Sequence, residues 1–272
     1  MTIRKSEKSN YSVSEIWKSI ALLSTVSKII ETVTAQYLWQ IAEQYHMLSE
    51  QQMREQENHS AETALNLLTN QMQAVWDSEN YVISLLTLDI TGAFDCVLQK
   101  CLMHVLQIKE ISAELTAWIH IYMIEQSIII MIADAESEEF QMSAEVLQDF
   151  SMSLILYLFY TAELLKICNN SRERLSASVF VDDIILLVYE LFMKQNCQIL
   201  KHAHEVCLKW AYQYEVFFML KKYDLIHLSD RLSKFNMQIT VQLREITKNS
   251  DTEIRILEIW INSQLKWKMH VK

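Results

Sequence analysis

The sequence predicts an α+β fold, because segments with apolar residues at helical spacing are mixed with runs rich in β-branched and aromatic residues, without regular βαβ alternation. The 272 residues are 51% apolar, which suffices for the core of one large domain or two small lobes. No internal repeat and no Pro/Gly/Ser-rich linker marks a boundary in the chain.

Two segments predict amphipathic helices. In residues 27–45 the apolar positions that recur at roughly helical spacing are Ile29, Ile30, Val33, Tyr37 and Ile41. In the later segment they are Leu200, Ala203, Cys207, Trp210 and Tyr214. Strands are predicted for residues 81–89, 128–132, 176–181, 184–189, 237–243 and 254–261.

The composition indicates an intracellular protein. The polar N-terminus has no apolar segment typical of a secretion signal, and charged residues interrupt the longest apolar stretches, so we expect no membrane span. The 5 cysteines form no C-x-x-C pair and are expected to be reduced thiols. The chain has no proline and 1 glycine, where average usage would give about 14 and 19. Its net charge of −10 is unusual for a protein that binds nucleic acid.

Three aspartates lie at the ends of predicted strands. Asp89 ends one strand, and Asp182 and Asp183 lie between two others in a strand-turn-strand pattern. Because an unpaired buried charge costs several kcal/mol, such carboxylates usually have a compensating cation, and Mg²⁺ prefers carboxylate oxygen. From spacing alone, a hairpin turn with two solvated aspartates explains the pattern equally well.

Comparison of more of the sequence with a known family favours a metal site over a solvated hairpin turn. Residues 84–95 (SLLTLDITGAFD) and 180–183 (FVDD) resemble the two catalytic motifs of LINE-like reverse transcriptases from non-LTR retrotransposons. Four further segments resemble motifs of this family in the same order: residues 17–24 (WKSIALLS), 62–68 (ETALNLL), 222–228 (KYDLIHL) and 257–267 (LEIWINSQLKW). Six ordered motifs rarely arise by accident.

The resemblance implies the fingers and palm of a right-hand polymerase, with a mostly antiparallel palm sheet packed on helices and the thumb largely absent. It predicts fingers in residues 1–78, a palm with an inserted helical segment in 79–190, and the remainder of the palm with a hairpin leading toward the thumb in 191–272. It also implies an RNA template, a DNA primer and deoxynucleoside triphosphates as partners, and a nuclear location.

The resemblance also assigns residues to the chemistry. Asp89 and Asp182 would be the principal ligands of Mg²⁺, or alternatively Mn²⁺, with Asp183 as a supporting carboxylate and the Ile90 carbonyl as a further ligand. Two such ions would activate a primer 3′-hydroxyl and stabilise the leaving pyrophosphate. Lys222 matches a lysine that is sometimes assigned to protonating pyrophosphate.

Three more positions match the family's nucleotide site. Phe94 matches the aromatic gate against the nucleotide sugar, although an ordinary core aromatic would look the same. Gln148 matches a glutamine that lines the nucleotide and template site. Lys18 replaces an arginine and so loses a planar, bidentate phosphate fork.

The family pattern is broken mainly where it requires glycine or proline. The residues that replace glycine or proline are Glu145, Leu147, Asp149, Ser151, Leu154, Ser19, Arg54, Glu55 and Glu258; Phe150, Lys18 and Asn262 replace serine, arginine and aspartate. Nearly all are reachable by single C-to-T changes on one strand or the other, which resembles the mutation that some filamentous fungi direct at repeated elements. We therefore expect a degenerate copy with weakened or no activity, and glycine positions under backbone strain. A coding sequence without a strong A/T excess at these codons would contradict this origin.

The sequence also leaves other interpretations open. A noncatalytic remnant would keep the fold without a working metal site. A different metal-dependent phosphotransferase would turn over nucleotides without primer or template. A metal cluster of His202, His204 and Cys207 is disfavoured, because H-x-H on a helix directs its two rings about 200° apart.

Overall fold

The computed structural model describes residues 2–4, 17–19, 24–49, 51–53, 61–78, 81–94, 96–124, 127–129, 131–132, 135–141, 151–171, 174–229, 240–244, 246–257, 259–263 and 265. The chain divides into two compact units, each discontinuous in sequence. Unit 1 comprises Met1–Leu48 and Gly92–Tyr160, and unit 2 comprises Ser49–Thr91 and Thr161–Lys272. The three-part division drawn from the sequence stays a prediction.

Helices and strands are mixed along the described chain, which confirms the α+β prediction. The helices are α1 (Thr25–Gln44), α2 (Ala61–Ser78), α3 (Gln99–Ile108), α4 (Ala113–Ile124), α5 (Ser151–Ser171) and α6 (Met193–Gln213). The strands are β1 (Thr2–Arg4), β2 (Trp17–Ser19), β3 (Gln52–Met53), β4 (Val82–Asp89), β5 (Ser127–Ile128), β6 (Met131–Ile132), β7 (Ala135–Glu136), β8 (Phe140–Gln141), β9 (Leu175–Phe180), β10 (Asp183–Glu190), β11 (Asp224–Leu228), β12 (Val241–Gln242), β13 (Thr247–Lys248), β14 (Glu253–Ile256) and β15 (Ile259–Asn262).

Unit 2 contains a five-stranded sheet with the order β11-β4-β10-β9-β3. All pairings are antiparallel except that of β3 with β9. Strand β4, which lies between β11 and β10, is buried along almost its whole length, as its nearly continuous apolar sequence predicts for a strand covered on both faces. Unit 1 contains α1, α3, α4, the first part of α5 and three short antiparallel strand pairs.

The two faces of the five-stranded sheet are covered differently. One face, with Ile83, Leu85 and Ile185, forms an apolar cluster with residues of α2 and the β14–β15 hairpin. The other face carries a buried polar network, in which Ser84 Oγ lies 2.6 Å from His227 Nδ1 and accepts a hydrogen bond from Asn196 of α6. Since Ser84 and His227 are also direct cross-strand partners, this network holds the register of β4 with β11.

The structure confirms most predicted elements and corrects three of them. The strands predicted at 81–89, 176–181 and 184–189 are confirmed as β4, β9 and β10, except that Tyr81 precedes β4 and Val181 lies in a turn. Residues 128–132 are not one strand: β5 and β6 pair with different partners. Residues 254–261 form a hairpin rather than one strand, since Ile256 and Ile259 are paired across a two-residue turn. Of residues 237–243, only Val241–Gln242 is strand, and 237–239 lie outside the described residues.

Helix α6 buries its predicted apolar face, including Leu200 and Trp210. Helix α1 forms as predicted but buries a different face: Ile29, Val33 and Tyr37 are more than half exposed, and the buried residues are Glu31, Ala35, Leu38 and Ala42. This otherwise apolar face includes a buried carboxylate, because Glu31 accepts a hydrogen bond of 3.0 Å from the Met152 N–H in the first turn of α5. Helix propensity and spacing could not reveal this long-range cap.

Among the residues that the structure describes, one helical segment, Ser151–Asn170, is long and apolar enough to cross a membrane, with a mean hydropathy of 1.4. Because 72% of it is buried inside the chain, it has the properties expected of a core helix. Its length and apolar composition are therefore only weak support for a membrane span.

Three helices end in the same backbone motif. The residue after the C-cap has a positive φ in each case: His46 (49°), Glu110 (58°) and Glu215 (52°). After α3, the Ile111 N–H bonds the Leu106 carbonyl and the Glu110 N–H bonds the Gln107 carbonyl, which is the Schellman pattern. Glycine is favoured there because a Cβ atom is strained at positive φ, so the described chain retains the backbone geometry without the glycine.

We expect Glu110→Gly and Glu215→Gly each to raise the free energy of unfolding by about 1 kcal/mol. Each change removes a strained Cβ and a negative charge at a helix C-terminus. Urea denaturation at pH 7 measures the effect. Glu205→Gly, the same change at an exposed position inside α6, should instead lower stability by about 1 kcal/mol. Losses in all three variants would contradict the strain assignment.

A buried histidine makes the stability depend on pH. Burial lowers the pKa of His204 to about 4, from an ordinary value of 6.5, although Glu205 opposes the shift. The unfolded chain therefore binds more protons than the folded chain between these values, and stability falls as the pH falls from 6.5 towards 4. We expect a loss on the order of 3 kcal/mol at most from this group.

Denaturant titrations between pH 7 and 4 test this assignment. His204→Gln should remove most of this slope, whereas His202→Gln, at an exposed position of the same helix, should keep it. Equal slopes in the two variants would show that His204 is not the source.

Candidate active site

Asp89 and Asp183 are direct partners across two antiparallel strands. Asp89 is the last residue of β4, Asp183 is the first of β10, and the two are paired in register. Residues opposed in this way have Cβ atoms about 4.5–5.5 Å apart on one face of a sheet. The structure thus brings together two carboxylates that are distant in the sequence.

Asp182 lies in the tight turn that leads into β10. Phe180 and Asp183 are paired, which leaves Val181 and Asp182 as a two-residue turn. Val181 has a φ of 54°, a conformation that β-branched residues rarely adopt. The short turn requires a positive φ because only the primed turn types match the twist of the strands. The predicted strand-turn-strand arrangement is confirmed, with strain immediately before the aspartates.

Lys222 binds Asp89 directly. Its Nζ donates to both carboxylate oxygens of Asp89, at 3.0 Å to Oδ1 and 2.8 Å to Oδ2. The Asp89 side chain is only 12% exposed, whereas that of Lys222 is 59% exposed. A nearly buried carboxylate is therefore neutralised by a cation that reaches it from solvent.

The backbone around Lys222 is attached twice to the strand that carries Asp89. The Thr91 N–H bonds the Phe217 carbonyl at 2.8 Å, and the Met219 N–H bonds the Asp89 carbonyl at 2.9 Å. After a 3-10 turn over Leu220–Lys222, β11 pairs with β4 again. Lys222 thus lies in a single 3-10 turn, and the backbone on both sides of this turn is hydrogen-bonded to β4 or to the residues that directly follow it.

Desolvation of its carboxyl group raises the pKa of Asp182, although the residue as a whole is exposed. Hydrogen bonding to its own backbone opposes the shift, the charge of Asp89 adds to it, and that of Lys222 opposes it. These influences indicate that Asp182 lies within electrostatic range of both Asp89 and Lys222.

The other predicted site residues are less fully described. Ile90 is buried and forms a bridge with Phe218. Phe94 is half-buried in unit 1, where its ring lies 5.1 Å from that of Tyr157. Lys18 lies in β2, but its side chain is outside the described residues, as is Gln148. The roles assigned to these residues stay predictions.

Among the described residues, no group of three or more His, Cys, Asp or Glu side chains has a metal-binding arrangement. His202 is exposed, His204 Nε2 lies 3.1 Å from the Tyr223 hydroxyl, and Cys207 Sγ lies 3.8 Å from Cys168 Sγ.

One residue near the site was not identified from the sequence. Tyr223, which follows Lys222, is fully buried and packs edge-on against His204. This contact ties the start of β11 to α6. The spacing of residues in the sequence does not indicate this contact, because Tyr223 and His204 lie on different elements. The only sequence feature that could have indicated Tyr223 is its position directly after Lys222.

The comparisons with known proteins agree with this geometry. A sequence profile described as "Reverse transcriptase (RNA-dependent DNA polymerase)" matches residues 3–261. No curated protein matches significantly.

Solved telomerase structures share the fold. Apo telomerase from Candida tropicalis, truncated from its C-terminal domain, has a TM-score of 0.58 at 14% identity, and the match covers 86% of this chain and 44% of that one. Telomerase from Candida albicans, in complex with a TWJ fragment of telomeric RNA, has a TM-score of 0.61 at 12% identity and coverages of 88% and 38%. This chain spans less than half the length of these proteins.

These likenesses confirm the predicted fingers-and-palm architecture of helices and a mostly antiparallel sheet. The family profile extends over almost the whole sequence. The chain therefore belongs to the reverse transcriptase (RNA-dependent DNA polymerase) family.

Proposed function

We propose that this chain is the polymerase domain of a non-LTR retrotransposon, resembling a LINE-like element. It would extend a DNA primer on an RNA template with deoxynucleoside triphosphates, by nucleotidyl transfer to the primer 3′-hydroxyl. We further propose that this copy is weakened or inactive, that it derives from a fungal element, and that it acts in the nucleus if it is expressed.

The observation that carries the proposal is the register of β4 with β10. It sets Asp89 opposite Asp183, with Asp182 in the adjoining turn. A hairpin with two solvated aspartates, the rival reading from spacing, gives no reason for a third carboxylate at the same strand end. The family profile independently supports polymerase chemistry for this cluster.

The donor set fits Mg²⁺ or Mn²⁺. Magnesium is usually held by one or two carboxylates together with substrate phosphates, so a site without three protein ligands in the ligand-free chain is compatible with it. Asp89 and Asp182 would hold the metal and Asp183 would support it. Bound there, the metal would supply charge stabilisation at the attacking and leaving oxygens.

The remaining residues would position substrate. Lys222 lies beside the carboxylates, and its ammonium group is suited to meet a phosphate. Phe94 would lie against the nucleotide sugar and disfavour a 2′-hydroxyl sterically. Gln148 would line the nucleotide and template site, while Lys18 would contact phosphate less specifically than the family arginine.

The retrotransposon assignment rests on the ordered motifs of the sequence rather than on the structural relatives. The weakened state is supported by two observations. A net charge of −10 opposes phosphate binding, and non-glycine residues occupy positive φ at helix ends and at the turn before Asp182.

We expect the chain to show low primer extension on an RNA template, dependent on Mg²⁺ or Mn²⁺. Asp89→Asn and Asp182→Asn should each reduce it more than about 100-fold, because each would remove a metal ligand. Asp77→Asn, the same change at an exposed position of α2, should leave it unchanged. Extension that survives in Asp89→Asn would contradict the assigned chemistry.

Restoring family residues should raise the activity. Asp149→Gly and Phe150→Ser would remove bulk and negative charge expected near the template and nucleotide, and Lys18→Arg would return a bidentate phosphate contact. We expect the triple variant to extend primers on the order of tenfold faster. Lys166→Arg, at an exposed position of α5, is the control. If the triple variant extends primers no faster than the unsubstituted chain, these three residues are not the cause of the low activity.

A noncatalytic remnant is the second candidate. The strained helix ends favour it, because they lower stability without touching the aspartates. It predicts a folded chain with no metal-dependent extension, even after Asp149, Phe150 and Lys18 are restored. The family match offers no support to a different metal-dependent phosphotransferase.

A further inference from the structure

The cation that neutralises Asp89 belongs to the chain itself. Both oxygens of this carboxylate accept hydrogen bonds from the Lys222 ammonium group. A divalent cation that binds the same carboxylate needs at least one of these oxygens. Two cations on one carboxylate also repel each other, so the lysine contact and the metal contact oppose each other.

The structure favours movement of the lysine rather than of the aspartate. Asp89 is fixed in the strand ladder opposite Asp183, and its side chain is 12% exposed. The Lys222 side chain is 59% exposed and has a flexible stem. The 3-10 turn over Leu220–Lys222 holds its backbone in place on both sides. The ammonium group can therefore leave Asp89 while remaining near the carboxylates.

We infer that Lys222 is an internal counter-ion that competes with the divalent cation for Asp89 and so lowers the cation affinity of the site. The inference rests on the proposed function, because it takes Asp89 as a metal ligand. When the cation binds, the ammonium group is displaced from Asp89 and becomes available to phosphate oxygens. In the absence of cation it keeps the nearly buried carboxylate paired.

Mn²⁺ binding tests the competition without any need for catalysis. Free Mn²⁺ is measured by electron paramagnetic resonance while the 272-residue chain is titrated. Lys222→Gln should bind Mn²⁺ roughly twofold to fivefold more tightly, the range set by a partly exposed ion pair. Lys221→Gln removes the same charge from the adjacent exposed residue and should change the affinity by less than about twofold.

The outcomes separate this inference from the proposed function. Equal Mn²⁺ affinity in the unsubstituted chain and in Lys222→Gln overturns the competition but leaves the metal site intact. If neither the unsubstituted chain nor Lys222→Gln binds Mn²⁺, and Asp89→Asn does not change Mn²⁺ binding, both the metal site and the inference are wrong.

A second measurement uses the unsubstituted chain, so it does not depend on how the Lys222 variant folds. Acylation by an amine-reactive ester, followed by mass spectrometry, reports the exposure of each ammonium group. Reactivity of Lys222 should increase severalfold as Mn²⁺ is added, with Lys221 as the internal reference. In Asp89→Asn the reactivity of Lys222 should already be high and independent of Mn²⁺. A Lys222 reactivity that Mn²⁺ does not change in the unsubstituted chain overturns the inference.

Discussion

The antiparallel register between β4 and β10 is the constraint on which the site depends. It sets Asp89 opposite Asp183, so like charges meet at the end of a mostly apolar sheet. Such an arrangement lowers stability unless a cation neutralises it. In this chain the neutralising group is Lys222, and the segment that carries it is itself paired with β4. The same strand therefore determines both the position of the charges and the position of their counter-ion.

The cores on the two sheet faces explain why the register persists. The apolar cluster with α2 fixes which residues of β4 face it, because a slip by one residue would turn Leu85 away from the cluster. On the other face, His227 and Asn196 each contact the hydroxyl of Ser84, a position that a slip would abandon. Apolar packing selects the face, and hydrogen bonding selects the position along the strand.

The sequence was sufficient for what depends on local pattern. Runs rich in β-branched, aromatic and other apolar residues predicted β4, β9 and β10, and the order of the motifs indicated which aspartates form the site. It was insufficient where the deciding contact is long-range. Glu31 is buried on α1 because of an N–H group far along the chain, and the salt bridge from Lys222 to Asp89 joins residues 133 positions apart. Neither contact leaves a periodic signal.

The backbone dihedral angles bear on the scarcity of glycine independently of codon bias. A Schellman turn requires a positive φ whichever residue occupies it, so a residue other than glycine is strained at this position. Glu110 and Glu215 meet this demand, and each is one C-to-T change, on the opposite strand, from glycine. His46 and Leu257 also have positive φ but are not one such change from glycine. The strain at the two glutamates is therefore what the proposed directional mutation would explain, whereas that proposal would not explain the positive φ of the other residues.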